Sequence, residues 1–351
     1  MKIVIASDSF KGCLSSKEVA EVICRRMRTL LPDGEIIPKS VADGGEGTLE
    51  VLSEALGGQI VCDTVCDPLG RRISARYMVC SSLAVIESAS VCGITLLSQK
   101  ELNPLIASSR GLGELILKAI KRGCEEFVIG LGGSATNDGG MGMISVPGFL
   151  EAARGKRFLA ACDVDTPFTG PNGASRVFGP QKGASPEVVE ELEKRMIGCV
   201  KRILMDTGVD LSDVPGAGAA GGLAGAFLAY LNASLKPGTE LVLDATGFDE
   251  ILKGADLVIT GEGCSDFQTL KGKLPFGILR RAQKQGVPVA LLSGEIRDEK
   301  MLYDAGFSYI ERVSPSSLPL WRAMRRDVAM ANMESAVDRL FAKIQTQVSL
   351  S

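Results

Sequence analysis

The stretch from Ile129 to Gly142, IGLGGSATNDGGMG, constrains the fold more than any other part of this 351-residue chain. An apolar run, Phe127, Val128 and Ile129, leads straight into it, and nearly half of its residues are glycine. A strand that ends in glycines lets the backbone approach whatever lies at its tip, because no side chain projects from the Cα. Gly132, Gly133 and Ser134 present main-chain N–H groups there, and Asn137 and Asp138 add an amide and a carboxylate, a set suited to a phosphate and its cation. A turn that merely needs positive φ accounts for a lone glycine pair. Six glycines interleaved with Ser, Thr, Asn and Asp predict a ligand loop.

The same pattern of apolar run, polar loop and helix recurs along the chain. Ile3 to Ala6 forms a strand that breaks at Ser7-Asp8-Ser9-Phe10-Lys11-Gly12, and Ser15 or Ser16 caps a helix through Arg28 with Val19, Ile23 and Met27 in its apolar stripe. Polar residues at the carboxyl end of a parallel strand sit where α/β sheets bind ligands, which makes Asp8, Ser9 and Lys11 site candidates. Glu35 to Lys39 leads as a second strand into Val41-Ala42-Asp43-Gly44-Gly45-Glu46-Gly47-Thr48, and Thr48 opens a helix to Leu56. Residues 59 to 88 then alternate as antiparallel strands around the turn Asp67-Pro68-Leu69-Gly70, which reads as a different domain inserted after two βα units.

Farther on, Asn103 to Arg122 predicts a helix beginning at Pro104, and Pro186 opens a strongly amphipathic one. Ala255 to Thr260 is a buried strand running into Gly261-Glu262-Gly263, followed by Asp266, Gln268, Thr269, Gly272 and Lys273. Val287 to Leu292 ends at Ser293-Gly294-Glu295, and Tyr309-Ile310 is a weak third strand. In the terminal helical region, which carries the sole Trp (Trp321) nearby, methionines and aromatics at helical spacing read as core. Gly216 to Gly221 matches G-x-G-x-x-G, but Asp213-Val214-Pro215 stands where a dinucleotide fingerprint needs a strand, which leaves a glycine-rich entry to a closely packed helix or a phosphate or substrate loop at that helix N-terminus.

Composition narrows the chemistry. With no histidine, Ser-His-Asp and Cys-His nucleophiles, His-ligated zinc and histidine bases are excluded. Proton transfer then falls to carboxylate, lysine or tyrosine, and a metal would be a hard cation on oxygen ligands. A net charge of −3 without a long basic run leaves no electrostatic footprint for nucleic acid or an anionic membrane. The ten cysteines never form C-x-x-C, the chain begins directly in a strand, and no run approaches a membrane span, so a cytoplasmic protein with reduced thiols is expected.

Taken together, DSFKG (8 to 12), VADGGEGT (41 to 48), GLGGSATNDGG (130 to 140), CDVDTPFTGPNGAS (162 to 175), FGPQKGA (178 to 184), PGAGAAGG (215 to 222) and TGEG with D-x-Q-T-x-x-GK (260 to 273) resemble the bacterial glycerate kinases of the glycerate 2-kinase type, in order and over nearly the whole chain. The resemblance implies two α/β domains: a Rossmann-like parallel-sheet domain formed by both chain ends, residues 1–58 plus 246–351, and an inserted mixed α/β domain, residues 59–245. It also implies ATP-dependent phosphorylation of D-glycerate with Mg²⁺. Cys264 and Ser265 stand where the family pattern has Arg and an apolar residue, and the region 143 to 158 is shorter than in the family. Arg110, Lys273 or another cation is able to replace the missing guanidinium.

Neither a G-x-x-x-x-G-K-[ST] loop nor an H-R-D loop is present, so the Walker and protein-kinase arrangements do not apply. Phosphoryl transfer still needs donors for the phosphates, carboxylates for Mg²⁺ and a group to position or deprotonate the acceptor hydroxyl. The candidate assignment puts phosphate or nucleotide on Gly132, Gly133, Ser134, Asn137, Gly261 and Gly263. Metal falls to Asp138, Asp43 and Glu262, and substrate to Asp8, Ser9, Lys182, Gln268 and Thr269. Lys11, Asp138, Asp163 and Asp266 are the catalytic candidates, with Asp163 or Asp266 as base and Lys11 or Lys182 on the glycerate carboxylate. The expected partners are ATP and D-glycerate, with no nucleic acid and no membrane, in a cleft between the domains. A homo-oligomer, a kinase of another small hydroxy acid and a nucleotide-binding relative without catalysis stay open.

Overall fold

The computed structural model describes residues 1–10, 12–45 and 47–348. Its strands are β1 (Lys2–Ile5), β2 (Glu35–Pro38), β3 (Gln59–Cys66), β4 (Arg72–Cys80), β5 (Leu83–Glu87), β6 (Glu126–Gly130), β7 (Arg157–Ala161), β8 (Ser234–Lys236), β9 (Leu257–Ser265), β10 (Val289–Ile296) and β11 (Tyr309–Arg312). The chain separates into two compact units, Met1–Asp43 with Val242–Ser351, and Gly44–Leu241. The sequence alone sets these divisions after residues 58 and 245.

Unit one is a five-stranded parallel sheet in the order β11-β10-β9-β1-β2. Alternation along each strand sends successive side chains to opposite faces. Ile3 and Ile5, with Leu257 and Ile259, meet Val19, Ile23 and Met27 of the helix Ser16–Leu30 and Met333, Val337 and Leu340 of the helix Arg326–Val348. Val4, Val258 and Leu291 meet Leu274 and Ile278 of the helix Leu274–Lys284 on the other face. Helices on both faces are what an all-parallel sheet requires. Ser15 caps the first helix in a full capping box with Glu18, which is why it starts where the sequence indicates. Trp321 departs from the expected core role: it lies on the short helix Leu320–Ala323 and is 72% exposed.

Unit two has a six-stranded mixed sheet, β3-β4-β5-β6-β7-β8, antiparallel through β5 and parallel from there on. The helix Thr48–Leu56 packs on β4 and β5, and Glu87 at the end of β5 accepts a hydrogen bond from the Leu49 amide at 3.0 Å. The helix expected from Pro104 begins only at Arg110. Residues before it are held in turns: the Asn103 side chain accepts from the Leu105 amide, and the Ser108 amide donates to the Pro68 carbonyl. The glycine-rich segment 216–221 takes the packing role. Ala220, Gly221 and Gly222 are left-handed at the entry to the helix Ala219–Leu231, and a Cβ on Gly221 would lie 2.0 Å from the Thr136 carbonyl oxygen. Among the described residues no helix is long and apolar enough to cross a membrane.

Candidate active site

In unit one the chain runs from β1 to β2 toward one sheet edge and from β9 through β10 to β11 toward the other. The carboxyl ends of β1 and β9 therefore flank a topological switch point, the place where open α/β sheets leave a crevice. A cavity of about 630 Å³ opens there. Asp8, Ser9, Asp43, Glu262, Gly263 and Lys273 line it, so residues far apart in sequence are collected by strand direction alone.

Glu262 is buried and enclosed by donors: Ser265 Oγ at 2.9 Å and Thr269 Oγ1 at 2.6 Å reach Oε1, and Lys273 Nζ lies 3.5 Å from Oε2. Ser265 thus gives the carboxylate a partner that an apolar residue would not. Asp8 is buried and takes the Ser9 amide at 2.7 Å. Asp266 accepts from the Gln268 amide at 2.8 Å and shapes the turn there, and Gln268 points outward as an exposed residue. Gly261 is buried between strands, where a Cβ would meet the Leu292 carbonyl oxygen at 2.2 Å; close packing explains this glycine.

The same cavity holds groups that sequence reading passed over. Arg297 pairs with Glu295 at 3.1 Å, and Arg312 lines the wall with its Nε buried and, among the described residues, without a hydrogen-bond partner. Cys264 faces Glu295, and burial first, then that carboxylate, pushes its thiol pKa up. A guanidinium is therefore present beside Cys264, supplied by Arg297. Arg110 instead pairs with Glu114 in unit two. Arg297 directly follows β10 and Arg312 is the last residue of β11, and a place at the carboxyl end of a parallel strand is the one positional signal that could have found them.

In unit two the loop after β6 is built around a buried cation. Lys182 is 2% exposed; its Nζ donates to the Thr136 carbonyl at 2.6 Å and to Ser134 Oγ at 3.1 Å. Desolvation lowers its pKa to about 7, against the opposing pull of Asp138 and Cys92. The backbone of Gly133 to Ala135 is pinned to Cys92–Ile94. Gly132 and Gly133 are exposed, and among the described residues no acceptor stands opposite their N–H groups. Asn137 donates to Ser175 Oγ at 3.0 Å. Asp138 accepts from the Ser109 amide and hydroxyl, both at 2.8 Å, and from the amides of Gly140 at 3.0 Å and Gly142 at 3.2 Å, so both its oxygens are engaged in shaping the loop. Asp163, after β7, is exposed and accepts from the Gly238 amide at 3.0 Å.

The sequence candidates thus gather in two groups, one in each unit, with Lys182 enclosed beneath its loop. Lys11 lies outside the described residues. Among the described residues no three acidic or thiol groups come close enough to form a metal cage. A larger cavity in unit two, about 790 Å³, opens at the amino ends of β5, β6 and β7 beside Leu83, Glu126 and Arg157, away from the loops that carry the polar motifs.

Parallel strands that end in glycine, carboxylate and lysine loops define an α/β protein with a polar ligand crevice at its strand ends. A model of the glycerate kinase family matches residues 3–156 and 144–345. Glycerate kinase from Bacillus subtilis (strain 168) is 41% identical over 351 aligned positions that cover 91% of this chain and 92% of that protein. Glycerate 2-kinase from Escherichia coli (strain K12) is 40% identical, covering 85% and 86%. A crystal structure named for glycerate kinase 2 from Salmonella typhimurium LT2 matches at a TM-score of 0.83 and 37% identity over 99% of both chains. The chain belongs to the glycerate kinase family, whose members are phosphotransferases with an alcohol group as acceptor. The two matched stretches overlap at residues 144–156, within the segment expected from the sequence to be shorter than in the family.

Proposed function

We propose that this chain transfers the terminal phosphoryl group of ATP to D-glycerate, giving 2-phosphoglycerate, with Mg²⁺, in the cytoplasm. The observation that carries the reading is the gathering of Asp8, Asp43, Glu262 and Lys273 around one cavity at the switch point of a parallel sheet. Phosphoryl transfer asks the protein mainly for positioning and charge stabilisation, and these groups supply both signs of charge.

Magnesium fits this donor set. It usually takes one or two carboxylates together with substrate phosphates and does not need an all-protein cage. Asp43, with Asp8 beside it in the lining, would hold the ion, and Glu262 would orient Lys273. When bound, the ion would neutralise charge on the phosphates. The exposed N–H groups of Gly132 and Gly133 suit phosphate oxygens, and Lys182 and Asp138 keep that loop in shape. Asp163 is the exposed carboxylate assigned to the acceptor hydroxyl. Ten free cysteines agree with a reducing compartment.

The test is ADP release with ATP, Mg²⁺ and a panel of 2- and 3-hydroxy acids, with the product offered to enolase, which accepts only the 2-phosphate. Release that requires D-glycerate and feeds enolase is expected. Release with a different acid alone, or with none, overturns the reading.

A further inference from the structure

The cavity of unit one is too large, and too much of its lining is apolar, for a three-carbon hydroxy acid. Its polar lining comes from the ends of several strands, with Asp8 and Ser9 after β1, Glu262 in β9, Glu295 in β10 and Arg312 in β11. Its apolar wall is made up of Phe10 after β1, Pro315 and Leu318 in the loop after β11, and Ala323 and Met324 at the end of the helix Leu320–Ala323. Glycerate carries oxygen on every carbon and offers that wall nothing to bury, whereas apolar walls beside a few placed polar groups are the usual lining of a small-molecule site. A flat aromatic ring does match it, and a methionine thioether is a favourable neighbour for such a ring. The same lining includes Arg312, whose buried Nε has no partner among the described residues, and Glu295 with Arg297, which adds an acceptor and further donors. An unpaired buried donor costs free energy until a ligand supplies an acceptor.

We infer that this apolar part of the unit-one cavity is the nucleoside subsite of the phosphoryl donor, with a purine base against Leu318 and Met324 and its polar edge or ribose within reach of Glu295, Arg297 and Arg312. The inference rests on the kinase reading, since it takes the large ligand of the cavity to be a nucleoside triphosphate. Leu318 and Met324 are specificity residues under this assignment: they bind the base and leave the acceptor acid untouched.

The experiment uses the full chain and two separate variants, Leu318→Glu and Met324→Glu, each of which puts a carboxylate into the apolar wall. Thermal melts establish which variants fold, and Met324 is already 39% exposed, so its replacement leaves the core intact. Steady-state kinetics then separate the KM for ATP from that for glycerate, and equilibrium dialysis tracks labelled adenosine. The expected result is a rise of at least tenfold in the KM for ATP, a KM for glycerate within twofold of wild type, and weakened adenosine binding. If ADP release persists with an unchanged KM for ATP in the folded variants, the subsite is wrong while the kinase reading survives. If no acid supports ADP release but wild type binds adenosine and the variants do not, the subsite stands and the kinase reading falls.

Discussion

The ammonium of Lys182, enclosed in unit two, donates to the main-chain oxygen of Thr136 at 2.6 Å and so ties a helical turn to the glycine-rich loop after β6. Burial lowers its pKa from 10.5 to about 7. Between those values the unfolded chain holds the proton that the folded chain has released, so stability rises with pH across the window. Below about 7 the charge is present in both states and the cost of burying it is fully felt. Lys182→Met should flatten this rise: urea-unfolding free energies measured from pH 7 to 10 should climb more steeply for wild type. Parallel slopes would show that Lys182 keeps an ordinary pKa.

Asp138 carries four donors, so its first duty is to hold the loop. Asp138→Asn replaces one acceptor oxygen with a donor facing N–H groups. A stability loss of about 1–3 kcal/mol by urea titration is expected. A variant that unfolds like wild type but has lost turnover would instead place Asp138 in the chemistry.

Gly221 and Gly247 offer a matched comparison, since both are left-handed, at φ +67° and +63°. A Cβ at Gly221 would collide with the Thr136 carbonyl oxygen at 2.0 Å, while one at Gly247 meets nothing within 4 Å. Gly247→Ala should cost only the backbone strain, about 1–2 kcal/mol. Gly221→Ala should lower the melting temperature much further, or abolish soluble expression. Equal shifts would remove the close-approach argument.

Thr269→Val and Ser265→Ala each strip one donor from Glu262 Oε1. Both should lower kcat/KM, and because the two donors share one oxygen their effects should be coupled by roughly 0.5–3 kcal/mol in a double-mutant cycle. Wild-type turnover in the double variant would mean that the orientation of Glu262 does not matter to the reaction.

The candidate site was half legible in the chain. The loops at the ends of β1, β6, β7 and β9 announced themselves through glycine beside carboxylate, because a strand tip that meets a ligand needs both a bare backbone and polar side chains. The duties of individual residues were not legible. Asp138 looks the same in sequence whether it meets a cation or four N–H groups, and Lys182 the same whether it is exposed or sealed beneath a loop contributed by residues some 46 positions away.

Local chemistry was enough to place the helix Thr48–Leu56, a serine cap at position 15 or 16, the hairpin of β3 and β4, and the packing role of the 216–221 glycines, while the choice of Ser15 and its Glu18 partner came from the structure. These depend on periodicity, capping and turn chemistry, which operate over a few residues. Packing decided the rest. The start of the helix at Arg110, the exposure of Trp321, the enclosure of Lys182 and the convergence of Arg312 with Asp8 on one cavity all result from which segments lie side by side in the sheets. Strand order and chain direction set those neighbours over hundreds of residues, a range that no local propensity reaches.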